Sequence, residues 1–155
     1  MIKEARKIRL YGLGSSGLTA TEFKYRLVRM GLNADAVVDP HMMLMSTVLL
    51  NEDDLVISIS NSGMTEEVVR AVKEARKRNV RVVSITNHDH TPLTESSDVV
   101  LFTSSVRRMN RNRFINDQLS IHYVMDVISM LLLEDEKLHA NREKTFDALA
   151  DYHKM

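Results

Sequence analysis

Residues 54–69 read Asp54-Leu55-Val56-Ile57-Ser58-Ile59-Ser60-Asn61-Ser62-Gly63-Met64-Thr65-Glu66-Glu67-Val68-Val69. Residues 54–59 are short, rich in β-branched side chains and bounded by turn residues, which predicts a buried strand. From about Met64 a helix is predicted, because Val68, Val69, Val72 and Ala75 recur on one stripe. Between the two lies a loop with three hydroxyls and one glycine. A loop that delivers a strand into a helix N-terminus points backbone N–H groups outward, and the helix dipole there favours negative charge. Ser60, Ser62 and Thr65 add neutral hydroxyl donors suited to phosphate oxygens. Capping the helix would need only one of them. Glu66 and Glu67, in the first helical turn, oppose an anion unless they point away.

Working outward, strands alternate with helices five times. Residues 1–7 are charged and predict a frayed lead-in. Residues 8–12 form a first strand, followed by a helix over about 16–30 with Ala20, Phe23, Leu27 and Met30 on one face and Gly31 as its C-cap. Residues 34–38 form a second strand. Pro40, at the first helical position, opens a helix through residue 50. After the strand and helix of the opening stretch, residues 80–86 and 98–102 give the last two strands, with one short helical turn within 92–96. A long helix over about 112–133 and a charged amphipathic helix over about 135–152 complete the chain. This alternation predicts an α/β three-layer sandwich: a five-stranded parallel sheet of doubly wound, flavodoxin-like topology with helices on both faces. Residues 1–155 form one domain, with no linker, repeat or low-complexity tract to divide them.

The totals are those of a soluble globular protein: 155 residues, 44% hydrophobic, 27% charged. Lys plus Arg equals Asp plus Glu at 21 each, a poor balance for binding nucleic acid non-specifically. The absence of cysteine excludes disulfides, thiol catalysis and thiolate metal sites. The N-terminal residues have no signal-peptide pattern, and the most apolar stretch, 123–133, is too short to span a bilayer. A cytoplasmic protein without membrane contact is expected.

In parallel α/β sheets ligands bind beyond the carboxyl ends of the strands. A second glycine-and-serine loop lies at such an end: Gly12-Leu13-Gly14-Ser15-Ser16-Gly17. Its spacing fits the dinucleotide fingerprint GxGxxG, with Asp39 closing the next strand where a ribose-binding acid would sit. That reading competes with one in which both hydroxyl loops share a phosphate, and with glycines serving only a tight turn. No Lys-Ser/Thr follows, so a Walker loop is excluded. His88-Asp89-His90 reads as a polar turn, since no third metal ligand accompanies it; neither a metal nor a cofactor is expected. His41 either lines the pocket or faces solvent. Met42, Met43 and Met45 are expected to fill gaps in the core. Arg107, Arg108, Arg111 and Arg113 crowd the approach to the long helix and offer guanidinium donors to a phosphate or a neighbouring subunit. Residues 123–133 are apolar almost all round, so one side is expected on the sheet and the other on a second subunit.

Gly12-x-Gly14-x-Ser16-Gly17, Ser60-x-Ser62-Gly63-x-Thr65, Ile85-Thr86 and Pro92-Leu93 before Ser97-Asp98 together resemble the SIS (sugar isomerase) phosphosugar-binding domain, over about residues 8–135. The resemblance implies a bound phosphorylated sugar and a homodimer or tetramer. By position, Ser16, Ser60, Ser62 and Thr65 would hold the phosphate. The ligand-binding set it implies is Gly14, Ser15, Ser16, Ser60, Asn61, Ser62, Gly63 and Thr65, with His41 and Arg111 as further candidates. SIS isomerases need a base, usually Glu, beside a carbonyl; after the fifth strand no Glu occurs until Glu134. Residues 111–128, with Asn116-Asp117-Gln118-Leu119 and Asp126-Val127-Ile128, are more similar to the sensor half of RpiR-type sugar-phosphate transcription regulators. Those regulators place a helix-turn-helix domain before the SIS domain. The first strand here begins at about Ile8, so this chain is expected to be the effector domain alone, reaching DNA only through a domain it does not contain. The alternatives are a small aldose–ketose phosphosugar isomerase, with Asp117, His41 or His122 as acid–base groups, and a dinucleotide-binding domain.

Overall fold

Five short segments pair into one sheet, the central three too buried to leave their backbone groups unpaired. In the computed structural model, which describes residues 1–103 and 118–152, they are β1 (Ile8–Tyr11), β2 (Ala34–Val37), β3 (Leu55–Ile59), β4 (Arg81–Thr86) and β5 (Val99–Phe102). All neighbours are parallel, in the order β2-β1-β3-β4-β5. This is the expected flavodoxin-like order. Its reversal of direction falls between β1 and β3, where Tyr11 is in register with Ser58.

The helices are α1 (Ser15–Arg29), α2 (Pro40–Thr47), α3 (Glu66–Lys77), α4 (Leu119–Leu133) and α5 (Glu136–Tyr152), with a single 3-10 turn at Thr94–Ser96. Residues of α1, α4 and α5 pack on one face of the sheet, where Phe23, Leu27, Ile121, Met125 and Leu138 meet Leu10 and Ile57. Residues of α2 and α3 pack on the other, where Met43, Val68 and Val72 meet Tyr11, Val56 and Val82. Both predicted stripes are buried: Ala20, Phe23 and Leu27 on α1 with Met30 at its C-cap, and Val68, Val69, Val72 and Ala75 on α3.

The ends of the helices follow local chemistry. Gly31 closes α1 at φ 83, with Leu32 N–H bonded to Leu27 O and Gly31 N–H to Val28 O. Asp39 caps α2 by accepting from Met42 N–H at 2.8 Å, and Pro40 follows it. Polar groups buried in the central strands satisfy one another: Ser58 Oγ lies 2.5 Å from Ser84 Oγ, which lies 2.6 Å from Ser97 Oγ.

Three expectations need correction. The lead-in is not frayed: Arg6 N–H donates to Asp53 O, Arg6 reaches the buried Asp54 carboxylate at 2.8 Å, and Ile2 and Ala5 pack on the core. α2 stops at Thr47 rather than residue 50, because Leu49 and Leu50 bond back only three residues to Ser46 and Thr47. Of the three methionines on α2 only Met43 is buried; Met42 and Met45 are exposed. An eight-residue helix with apolar residues all round has no period to show which face turns inward. The expected helical residues 112–117 lie outside the described residues.

Candidate functional site

The loop after β3 is held open from behind. Ser60 N–H donates to Ile85 O, and Asn61 O accepts from Asn87 N–H, so the loop is tied to the end of β4. Gly63 N–H returns to Ser60 O, closing a tight turn, and Leu93 N–H donates to Gly63 O. Gly63 has φ 64, and a Cβ there would collide with Thr91 Oγ1, so both conformation and space require glycine. Thr65 occupies the N-cap position of α3 without capping it: its hydroxyl pairs with Ser60 Oγ at 3.1 Å. Ser62 Oγ accepts from Met64 N–H at 3.2 Å. The first N–H groups of α3 therefore have no side-chain cap, and its dipole end faces the loop. Glu66 and Glu67 are both exposed. Asn61 Oδ1 is buried without a hydrogen-bond partner among the described residues.

The loop after β1 is equally constrained. A Cβ on Gly12 would lie 2.5 Å from the backbone oxygen of Ser16, and one on Gly17 would lie 2.9 Å from Gly12 O. These two glycines let the strand end and the helix start touch. Gly14 has φ 56 with open space around it. It takes the N-cap position of α1 and offers no side chain, so this helix end is also uncapped. Ser16 is buried, and Ser15 is exposed at the first position of α1.

Because β1 and β3 are hydrogen-bonded neighbours, the two loops leave the same end of the sheet side by side. Residues 12–17 and 60–65 thus bring two uncapped helix N-termini and the hydroxyls of Ser15, Ser16, Ser60, Ser62 and Thr65 to one edge. Amide dipoles and hydroxyls can attract an anion without a cation. His41 is exposed on α2, which starts from the neighbouring strand end. Asp39, the candidate ribose acid, spends Oδ1 on the α2 cap. Arg107, Arg108, Arg111, Arg113 and Asp117 lie outside the described residues. Asn87 to His90 form the polar turn, with His90 at φ 49. Among the described residues no group of three His, Cys, Asp or Glu side chains could hold a metal.

One contact had no counterpart in the site residues read from sequence. Gln118, buried just before α4, donates through Nε2 to Ser15 Oγ at 3.3 Å and accepts from Thr19 Oγ1 at 2.8 Å. No local pattern announces it, since the partners are 103 and 99 residues apart.

A model of the SIS domain matches residues 1–127. The chain belongs to the SIS domain family. Relatives of this SIS domain include HTH-type transcriptional regulators. One from Haemophilus influenzae is 32% identical over 153 residues, covering 97% of this chain and 53% of the relative. RpiR of Escherichia coli K12 is 28% identical over 151 residues, covering 96% and 51%. The SIS chain thus spans about half the length of these curated relatives. Among solved structures, Vibrio vulnificus NanR complexed with ManNAc-6P matches with a TM-score of 0.86 at 28% identity, over 97% of this chain and 58% of that one. Among the described residues no helix is long and apolar enough to cross a membrane.

Proposed function

We propose that this chain is the sugar-phosphate-sensing effector domain of a cytoplasmic transcription regulator of carbohydrate metabolism. The observation that carries the proposal is the pairing of two hydroxyl-rich, uncapped strand-to-helix loops at the ends of adjacent strands β1 and β3. The phosphate docks on Gly14, Ser15, Ser16, Ser60, Asn61, Ser62, Gly63 and Thr65, with donors converging from both loops. His41, exposed on α2, and Arg111 are further candidate partners of the ligand. The HTH-type relatives and the ManNAc-6P complex of NanR support this reading.

A homodimer or tetramer forms through α4. Its inner side buries Ile121, Met125 and Leu132, while Leu119, Tyr123, Val127 and Met130 are exposed at helical spacing. Ligand then shifts the balance between two arrangements of the assembly in proportion to its differential affinity for them. A helix-turn-helix domain of the kind the relatives carry reads the result on DNA.

Thermal shift tests the reading. Phosphorylated sugars, ManNAc-6P among them, should raise the melting temperature. The corresponding unphosphorylated sugars and nicotinamide nucleotides should not. Stabilisation by a nicotinamide nucleotide and by no sugar phosphate would replace the proposal with the dinucleotide reading.

A further inference from the structure

We infer that Gln118 is a positioning residue for the phosphate site: its amide holds the Ser15 hydroxyl oxygen from behind and so leaves the Ser15 proton to be donated to the ligand. The inference rests on the reading of residues 12–17 as a phosphate loop.

The hydrogen-bond inventory gives the argument. A serine hydroxyl has one proton to donate and two lone pairs. Ser15 Oγ receives a bond from Gln118 Nε2 at 3.3 Å, so one lone pair is occupied by a donor. A neighbour that occupied the proton instead would make Ser15 useless to a dianion, which only accepts. At its other end Gln118 Oε1 accepts from the Thr19 hydroxyl at 2.8 Å, the shorter of the two contacts that hydroxyl makes. Thr19 is itself buried, and its hydroxyl also lies 3.1 Å from Ser15 O, tying the first turn of α1 together. With Oε1 facing Thr19, the donor end of the amide faces Ser15. Gln118 is 5% exposed, whereas Ser15 is exposed, so the amide braces the loop from the interior while the hydroxyl meets solvent.

The same contact joins the loop to the N-terminus of α4, one turn before the exposed Tyr123. Occupancy of the loop is therefore mechanically linked to the helix that the proposed dimer uses.

The test is a double-mutant cycle on the full chain, read as the dissociation constant for inorganic phosphate by thermal shift. Gln118→Met keeps the side-chain length and removes the hydrogen bonds to Ser15 and Thr19. It should weaken phosphate binding about tenfold. In a Ser15→Ala background, the same change should have less than about a twofold effect, because the hydroxyl it positions is gone. Gln118→Glu turns the donor into an acceptor that captures the Ser15 proton, and it should weaken binding more than Gln118→Met. An equal loss from Gln118→Met with and without Ser15 would show that Gln118 acts only on the fold, and the inference fails. Unchanged affinity in Gln118→Met also ends it. Failure of the underlying site looks different: wild-type chain would not bind phosphate, or Ser15→Ala would bind as well as wild type.

Discussion

The Thr65 hydroxyl lies 3.1 Å from Ser60 Oγ and makes no bond to the helix that it precedes. A threonine at an N-cap position ordinarily satisfies an exposed amide of the first turn. Here that amide is left for something else, and the two hydroxyls hold each other in place beside it. Ser60→Ala combined with Ser62→Ala should therefore abolish stabilisation by sugar phosphates while changing the melting temperature of the ligand-free protein only slightly. Thermal shift on the same preparations gives both readings. An unchanged ligand shift would remove these serines from the site.

Glycine is required for different reasons in the two loops. At Gly14 the cost of a side chain is conformational alone, since φ is 56 and the space is open. At Gly63 a positive φ of 64 is joined by a collision with Thr91. Gly14→Ala should cost about 1 kcal/mol of unfolding free energy and Gly63→Ala about 3 kcal/mol. Urea unfolding measures both, and equal costs would contradict the packing account of Gly63.

Acid stability should depend on Asp135. The Lys3 ammonium and then the Leu138 N–H, with that of Lys137, hold its carboxyl below the usual range, against an opposing push from desolvation. A depressed folded-state pKa contributes stability above the unfolded value, about 3.9, and loses it as pH falls through the folded value. Asp135→Asn retains an oxygen to cap α5 but removes the charge. Wild type should be the more stable at neutral pH, with the gap closing below about pH 4. Melting curves across that range check this; a gap independent of pH would contradict it.

The N-terminal residues are held by a charge pair with one deeply buried member. Asp54 is fully buried, while the Arg6 side chain is nearly half exposed. Removing the arginine leaves a buried carboxylate with Asn51 N–H as its remaining partner. Arg6→Ala should cost about 2 kcal/mol, below the usual figure for breaking a buried pair because solvent reaches Arg6. Urea unfolding gives the value, and no loss of stability would show that the pair is dispensable.

The outer face of α4 should decide assembly. Light scattering on wild-type chain should give a dimer or tetramer, and Tyr123→Glu with Met130→Glu should give a folded monomer. Wild type running as a monomer at micromolar concentration would contradict the interface assigned to α4.

What could be read from sequence divides by range. The α1 and α3 stripes were legible because a 3.6-residue period of apolar side chains names its own buried face. The two loops were legible because glycines and hydroxyls between a strand and a helix are a local pattern. The lead-in was misread because Arg6 is secured by Asp54, 48 residues away. Met42 and Met45 were misassigned because a short helix that is apolar all round carries no directional signal. Gln118 was beyond reach for the same reason as Arg6: its partner Ser15 meets it only after the sheet has formed.

In the proposed site two neighbouring loops share one dianion. A crystal structure of the chain with a sugar 6-phosphate tests it most directly. Phosphate density is expected at the ends of β1 and β3, within about 3 Å of donors on Ser16 and on Ser62 at once. Phosphate bound elsewhere, or touching only one loop, would contradict it.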